Sequence, residues 1–397
     1  MITINNKDTG ELGSAISNSS TGAIKIVNDN VLGGTITNTG DAITSAANNI
    51  DITNNKNLTG TVINNGKGSI HVQNTKGTGS ITGNINNGGA GSITLDNEGK
   101  SSSNQIDNTG TGLITINNKD TGELGSAISN SSTGAIKIVN DNVLGGTITN
   151  TGAKGLSDTN NINIINNRKI TGNITNQGTG SIEVTNNADG ELDGDISNES
   201  SGMISLINNG NIDNHATGVS SSTGKINNLN NGTLKITNNN IMSRAFDNNG
   251  TGTLIVENNR QMNGNKITNN DEGTIEIHNN LNGHLDSEIT NTKKGNIQIT
   301  NDDVLGGLIA NLGESKGSDE NNIEIINRKT LTSTIRNDAS GAIKISNESS
   351  GNLSSNIINN RSGKISFINQ GVSSPAQITN SGTGEFRSSI IIYFEQM

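Results

Sequence analysis

Four histidines and a few groups of acidic residues are the side chains of this 397-residue chain best suited to chemistry. A histidine can bind a metal or act as a base, but no histidine pair stands at metal-ligand spacing with a carboxylate partner. The chain has no cysteine, so a thiolate nucleophile is excluded. By the parity of the surrounding pattern, His71, His278 and His284 face outward, and His215 lies in an irregular segment. We therefore expect solvated histidines and no catalytic residue, metal site or cofactor.

Paired carboxylates are the remaining enzymatic option, because glycosidases place two of them across the bond they cleave. The densest acidic places are Asp302-Asp303, Asp319-Glu320, and Asp193 with Asp195. Asp193 and Asp195 fall on the outward side of a predicted strand, and the chain is only 1% aromatic, so no ring platform for a sugar accompanies them. The sequence thus predicts a protein that is not an enzyme. A solenoid enzyme that degrades polysaccharide, with carboxylates on one wall, is the alternative.

The elements that would position such residues come from one motif, aliphatic-x-aliphatic-x-Asn, which occurs seventeen times. Alternate residues of a strand point to opposite faces, so the two aliphatic side chains and the asparagine of each copy share one side of the backbone. The pattern therefore favours a short strand over a helix. Its asparagines are Asn6, Asn28, Asn54, Asn74, Asn97, Asn118, Asn140, Asn166, Asn186, Asn208, Asn238, Asn258, Asn279, Asn301, Asn327, Asn347 and Asn369.

Between successive copies lies a second motif, aliphatic-x-small-x-aliphatic-x-Asn, as in Leu32-Gly34-Ile36-Asn38 and Leu331-Ser333-Ile335-Asn337. Most periods are 20 to 23 residues long, a length at which each unit stacks on its neighbours. We expect the central small residue to leave room for isoleucine on the opposite wall of a narrow core. The sequence thus predicts an all-β fold, a parallel β-helix (β-solenoid) of about 17 coils of about 22 residues.

A single coil of this kind cannot fold alone, because ordering its backbone costs far more free energy than burying four aliphatic side chains returns. Stacking supplies the missing terms, since every strand can then pair with the coils before and after it. The inward asparagines can also align amide to amide along the stack. The asparagines thus have a structural reason to recur.

Composition restricts the class of partner. The formal net charge is −10 and the basic residues are scattered singly, so binding to nucleic acid has no electrostatic basis. No stretch of about 18 apolar residues predicts membrane insertion by this segment. The period continues to residue 380 and then fades. We therefore expect a continuous solenoid domain at 1–380 and an irregular carboxy-terminal cap or tail at 381–397.

Four periods are longer than the rest, and they mark the candidate contact surface. Three of them measure 26 residues, with the extra residues around 41–48, 153–160 and 314–321. A fourth period of 30 residues contains the segment 211–225, which includes His215 and Ser220-Ser221-Ser222. We expect the first three to be outward loops at one angular position. Insertions in repeat folds usually map to the binding face.

Outward threonines raise a third alternative, a structural or ice-binding coat protein. Such a protein needs a flat threonine face on successive coils, and Thr35, Thr37, Thr59 and Thr61 fall on the outward parity. Acidic outward residues interrupt the face elsewhere, which weakens this interpretation.

The phrases Ile-Thr-Gly-Asn-Ile-Thr-Asn-Gln-Gly at 170–178 and Gly-Ser-Ile-Glu-Val-Thr-Asn-Asn at 180–187 resemble the repeat regions of bacterial autotransporter passenger domains. The likeness is to vacuolating-cytotoxin-like toxins and adhesins, and it covers nearly the whole chain. The resemblance implies a right-handed, single-stranded parallel β-helix. It also implies an extracellular location or display at the bacterial cell surface, in association with the outer membrane.

Taken together, the repeat and the resemblance predict a secreted or surface-displayed stalk of an autotransporter-like adhesin or toxin, acting in virulence without catalysis. Its expected partner is a receptor, protein or glycan, on a host or neighbouring cell. The outward loops would make the contact, with no cofactor and no nucleic acid involved.

Overall fold

The strands follow the sequence motifs copy by copy, and the described residues contain strands and turns but no helix. The structure, a computed structural model, describes residues 1–42, 48–155, 160–212, 224–315, 320–374 and 377–390. It divides into unit 1, Met1–Ile196 with Gly202–Ile204, and unit 2, Ser197–Ser201 with Ser205–Met397. Within each unit, the strands of the first motif form one sheet, the first wall, and those of the second motif form another, the second wall.

Unit 1 contains nine strands of the first wall. They are Ile2–Asn6, Ile24–Asn28, Ile50–Asn54, Ser69–Asn74, Ser92–Asn97, Leu113–Asn118, Ala135–Asn140, Ile162–Asn166 and Ser181–Asn186. Its second wall comprises Glu11–Leu12, Ile16–Asn18, Val31–Leu32, Ile36–Asn38, Asn57–Leu58, Val62–Asn64, Ser80–Ile81, Ile85–Asn87, Lys100–Asn108, Glu123–Asn130, Val143–Leu144, Ile148–Asn150, Lys169–Ile170, Ile174–Asn176 and Glu191–Leu192. Two further strands, Ile196–Asn198 of the second wall and Met203–Asn208 of the first, contain the division between the units.

Unit 2 repeats the arrangement. Its first wall comprises Thr233–Asn238, Thr253–Asn258, Thr274–Asn279, Asn296–Asn301, Ile323–Asn327, Ala342–Asn347, Lys364–Asn369 and Glu385–Ile390. Its second wall comprises Asn211–Ile212, Ile226–Asn228, Ile241–Met242, Phe246–Asn248, Gln261–Asn269, His284–Asn291, Val304–Asn311, Thr330–Leu331, Thr334–Asn337, Asn352–Leu353, Asn356–Asn359, Val372–Ser373 and Gln377–Asn380.

Neighbouring coils pair in parallel, with equivalent motif positions opposite each other. In the first wall of unit 1, Ile24 lies opposite Ile50 and Asn28 opposite Asn54. In the second wall of unit 2, Asn291 lies opposite Asn311. These pairings confirm the predicted parallel β-solenoid, which has about 16 turns of about 22 residues.

Inward positions form the core of each coil, as the alternation of the motif predicts. Along Ser69–Asn74 the residues alternate between half-buried and buried, and Ile70 and Val72 are fully buried. In the first coil, by contrast, Ile2 is 60% exposed. A second departure is Arg244, which is fully buried at the position that Gly34, Gly146 and Ser333 occupy in other coils.

The inward asparagines form hydrogen-bonded ladders along both walls. In unit 1, Asn118 Nδ2 donates to Asn140 Oδ1 at 2.7 Å, and Asn118 Oδ1 accepts from Asn97 Nδ2 at 2.8 Å. The same amide also donates to the main-chain oxygen of Val143 at 3.0 Å. In the second wall of unit 2, Asn228 Nδ2 donates to Asn248 Oδ1 at 2.9 Å. The predicted alignment of amides is therefore confirmed, and the same side chains also fix the corner of the next coil.

The small residue of the second motif lies against the backbone of the preceding coil. We expected the opposite wall to require it, and the structure shows that the preceding coil leaves no room for a Cβ at the glycines. A Cβ added at Gly146 would lie 1.7 Å from the main-chain oxygen of Ser126, and one added at Gly172 would lie 1.8 Å from that of Gly146. Where serine replaces glycine, its hydroxyl bonds to the preceding coil, as Ser333 Oγ does to the oxygen of Gly306 at 2.8 Å. Close backbone stacking selects the small side chain.

Regular structure extends past residue 380. Strand Glu385–Ile390 pairs in parallel with Lys364–Asn369, so residues 385–390 form a strand rather than an irregular segment. Residues 391–397, which include the only tyrosine, lie outside the described residues.

Candidate functional site

The bases of the three 26-residue insertions are built alike. Each insertion ends at a buried asparagine, Asn49, Asn161 or Asn322, and none of these is more than 2% exposed. Their Nδ2 groups donate to the main-chain oxygens of Asp41, Ala153 and Glu314 at 2.9, 3.0 and 3.0 Å. Their Oδ1 atoms accept from the backbone N–H of Ser69, Ser181 and Ala342 at 2.9, 3.0 and 3.0 Å. One side chain thus joins the two ends of each insertion to the following coil.

We call these three residues the latch asparagines. Because they follow equivalent second-wall strands, the three insertion bases occupy the same position along the coil, as predicted. Residues 43–47, 156–159 and 316–319 between the bases lie outside the described residues. The fourth predicted loop, 211–225, begins with strand Asn211–Ile212. Its residues 213–223, including His215 and Ser220-Ser221-Ser222, also lie outside them.

In two of the predicted acidic groups, carboxylates lie close to cations or backbone donors. Asp193 Oδ2 lies 2.8 Å from Lys169 Nζ. Asp302 Oδ1 lies 3.3 Å from Arg328 Nη1. Asp303 instead accepts a hydrogen bond from the backbone N–H of Asn282 at 2.8 Å. Asp319 lies outside the described residues, so its pairing with Glu320 is not tested.

His71 lies in a group of charged residues that the sequence analysis missed. On the outer face of the first wall, His71 Nδ1 is 2.8 Å from Asp51 Oδ1 and His71 Nε2 is 3.3 Å from Asp96 Oδ2. Lys119 Nζ extends the group, 3.7 Å from Asp96 and 3.1 Å from Glu98. His71 is therefore outward, as expected, but it is held between two carboxylates instead of being free in water. His278 is half-buried and His284 is exposed on the outer faces of their strands.

The pKa of Asp96 depends on its neighbours in this group. Burial raises the pKa of Asp96, but hydrogen bonds from Asn117 and His71 and the charge of Lys119 outweigh burial and hold the pKa below its ordinary value. The group joins four successive coils. Little in the sequence indicated that these side chains would meet. Asp51 and His71 each follow the first aliphatic of their motif, whereas Asp96 lies diagonally across the next coil.

One serine, Ser315, has the spacing of a hydrolase elbow. Gly313, Glu314 and Ser315 with Lys316 and Gly317 spell Gly-x-Ser-x-Gly, a motif that needs a strand, a turn and a helix. In the described part of this insertion, the Ser315 backbone N–H donates to Ser340 Oγ at 3.2 Å. Lys316 and Gly317 lie outside the described residues.

Outward threonines do not form a continuous column in unit 1. The position of Thr37 is followed, coil by coil, by Ile63, Asn86 and Asp107, and threonine returns only at Thr149. This column therefore lacks the uninterrupted threonine face that an ice-binding surface needs.

In unit 2 the same outward column lies at the bottom of a groove of about 350 Å³. Its floor consists of Thr268, Thr290 and Ala310, which are 4%, 4% and 2% exposed. Asp247 and Arg336 lie in the same column, on the coils before and after these three. We call this the unit 2 groove. It lies on no insertion, so the sequence signal used to select loops could not find it.

Within the described ranges, no group of three or more histidine, cysteine or acidic residues is arranged to hold a metal ion. The described residues also include no helix with the length and apolar character needed to cross a bilayer. Comparison of the chain with family models, with curated proteins and with solved structures finds no significant match in any of the three. The resemblance to autotransporter passengers therefore stays a prediction from the repeats.

Proposed function

We propose that this chain is a non-catalytic β-solenoid stalk, secreted or displayed at the bacterial cell surface, that contacts a receptor on a host or neighbouring cell through its insertion loops. The observation that carries the proposal is the repeated latch. Three insertions leave the solenoid at one position of the coil, and each is held at its base by a buried asparagine with the same hydrogen bonds.

The three insertions share one kind of base but differ in the residues that they carry. The bases are uniform, whereas the insertions read Asp-Ala-Ile-Thr-Ser-Ala-Ala-Asn, Ala-Lys-Gly-Leu-Ser-Asp-Thr-Asn and Glu-Ser-Lys-Gly-Ser-Asp-Glu-Asn. A constant base that carries varied loops is the arrangement in which repeat proteins bind partners. This arrangement supports the proposal of an adhesin. The resemblance of the repeats to autotransporter passengers supports the proposed secretion or surface display.

Loop-shortened protein tests the proposal. Removing residues 43–46, 156–159 and 316–319 returns each 26-residue coil to 22 residues. Fluorescent protein would be incubated with intact cells, and its binding measured by flow cytometry. We expect binding by the shortened protein to fall about tenfold or more, because several loops act together.

A matched control replaces the twelve removed residues with glycine and serine, which restores loop length without loop chemistry. We expect it to bind as weakly as the shortened protein, with an unchanged circular dichroism spectrum. Full binding by the shortened protein would contradict the proposal. So would detection of the native protein only inside permeabilised cells of its source.

A further inference from the structure

The unit 2 groove is deeper than the equivalent surface of unit 1. The outward residues of three successive second-wall coils in unit 1, Asp107, Ser129 and Thr149, are half-buried. In unit 2, three successive coils place buried residues in this column. The outward residues of this column pair in register in both units, Ser129 with Thr149 and Thr268 with Thr290, and Gln261–Asn269 carries a register shift between Asn263 and Lys266 beside the groove.

Polar side chains line two coils of the groove and apolar side chains line the third. On one rim, Lys266 Nζ lies 3.1 Å from Glu288 Oε1, and Leu308 follows on the next coil. The other rim consists of Asn270, Thr292 and Leu312, of which Leu312 is 45% exposed. An occupant would therefore meet hydrogen-bonding groups on two successive coils and apolar surface on the third.

A buried hydroxyl marks the floor. Thr268 is 4% exposed, and its Oγ1 has no hydrogen-bond partner in the part of the chain that the structure describes. The next threonine, Thr290, donates from Oγ1 to Glu288 Oε1 at 3.3 Å. An unsatisfied buried hydroxyl costs free energy unless a ligand bonds to it. Rotation about χ1 would turn the Thr268 hydroxyl toward an occupant of the groove.

We propose that the unit 2 groove binds a short segment of an extended, neutral glycan. This inference goes beyond the proposed function, because the groove is a second contact surface of the same stalk, apart from the insertion loops. Coils repeat about every 4.8 Å, so the hydroxyls of Thr268 and Thr290 recur along the groove at about the length of one sugar ring. Ala310 and the two leucines offer apolar surface for the C–H face of a ring.

The charges of the groove favour a neutral polymer over a charged one. Lys266 is paired with Glu288, and Arg336 Nε lies 2.6 Å from Asp338 Oδ2. Asp247 adds a further carboxylate to the lining, so charges of both signs are mixed along the groove and neither a polyanion nor a polycation would find a row of one opposite sign. A groove of about 350 Å³ is at the lower end of the range for small-ligand sites.

An extended peptide fits less well. Peptides that add to a sheet bond through the backbone of an exposed strand edge. The floor strands of the groove instead pair with a coil on each side, as His284–Asn291 does with Gln261–Asn269 and with Val304–Asn311. Their backbone groups are therefore already used, and recognition must come from the side chains that sugar hydroxyls match.

Titration of the full chain with short neutral cello-, chito- and manno-oligosaccharides, followed by calorimetry and saturation-transfer NMR, tests the proposal. We expect at least one series to bind. The variant Ala310→Arg should weaken its binding about tenfold or more by filling the floor. The next coil already carries Arg336 at the same position, so the variant should fold. Thr268→Val should weaken binding about threefold or more.

Thr149→Arg, at the equivalent outward position of unit 1, is the matched control and should bind like the wild type. The absence of binding by every neutral series, or equal binding by Ala310→Arg, would overturn the proposal. Displacement of a bound oligosaccharide by an extended peptide with the same affinity would also overturn it. The two proposals can also fail separately. If no oligosaccharide binds but loop shortening still abolishes cell binding, the glycan proposal is refuted and the stalk function is not.

Discussion

Asn118→Ala tests how much one ladder residue contributes to stability. Asn118 is fully buried and takes part in three hydrogen bonds, accepting from Asn97 and donating to Asn140 and to the oxygen of Val143. Alanine leaves Asn140 Oδ1 and the Val143 oxygen without this donor. Unsatisfied buried groups cost about 1–3 kcal/mol each, and the lost amide also leaves a small cavity. We therefore expect the free energy of unfolding to fall by about 3–5 kcal/mol.

The neighbouring residue provides the control. Asn117 is half-buried, faces outward and makes one bond to Asp96, at 2.7 Å. Asn117→Ala should cost about 1 kcal/mol or less, because water replaces the lost partner. Guanidinium unfolding followed by circular dichroism would compare the two variants, with hydrogen exchange of Ser92–Asn97 and Ala135–Asn140 locating the change. Equal effects of the two substitutions would refute the reasoning that inward amides hold the coils together.

Three further predictions concern close stacking, the charged group and the latch. Gly146→Ala should destabilise the protein by about 3 kcal/mol or more in thermal unfolding, because the new Cβ would lie 1.7 Å from the Ser126 oxygen; Gly145→Ala, whose nearest neighbour is Thr171 Oγ1 at 3.5 Å, should have little effect. Since the pKa of Asp96 is lowered, its contribution to stability is complete above the ordinary aspartate range and is lost as pH falls through the lowered pKa. Asp96→Asn should therefore be less stable than the wild type at neutral pH and should approach it in acid, and a difference independent of pH would contradict this. Asn161→Ala should speed proteolysis within 153–160 without lowering the midpoint of global unfolding as much as Asn118→Ala does, and unchanged cleavage would show that Asn161 does not hold the insertion.

The inward half of the structure was predictable because it follows a strict period. Ile70, Val72 and Asn74 share one face by alternation alone, and stacking at a fixed repeat then brings Asn74 next to Asn97. The position of the three insertions could also be read from the lengths of the periods. The cause of the small residue was not predictable in the same way, because alternation does not show how closely the backbones of neighbouring coils approach.

The outward half was harder to predict, since contacts there depend on side-chain conformation across coils. His71 reaches Asp96 diagonally, which no offset along the chain indicates. The latch asparagines precede the first motif and resemble ordinary loop residues in the sequence. The floor of the unit 2 groove carries threonine and alanine, which are common elsewhere in the chain, so their residue types do not indicate that these outward positions are buried.

Hydrogen exchange of the asparagine side-chain amides, followed by NMR, tests the central claim most directly. If inward amides form continuous ladders through each unit, the Nδ2 protons of Asn118 and Asn228 should exchange orders of magnitude more slowly than those of the outward Asn117. Exchange of Asn118 and Asn228 as fast as that of Asn117 would contradict the ladders and, with them, the stacked solenoid that supports both proposals.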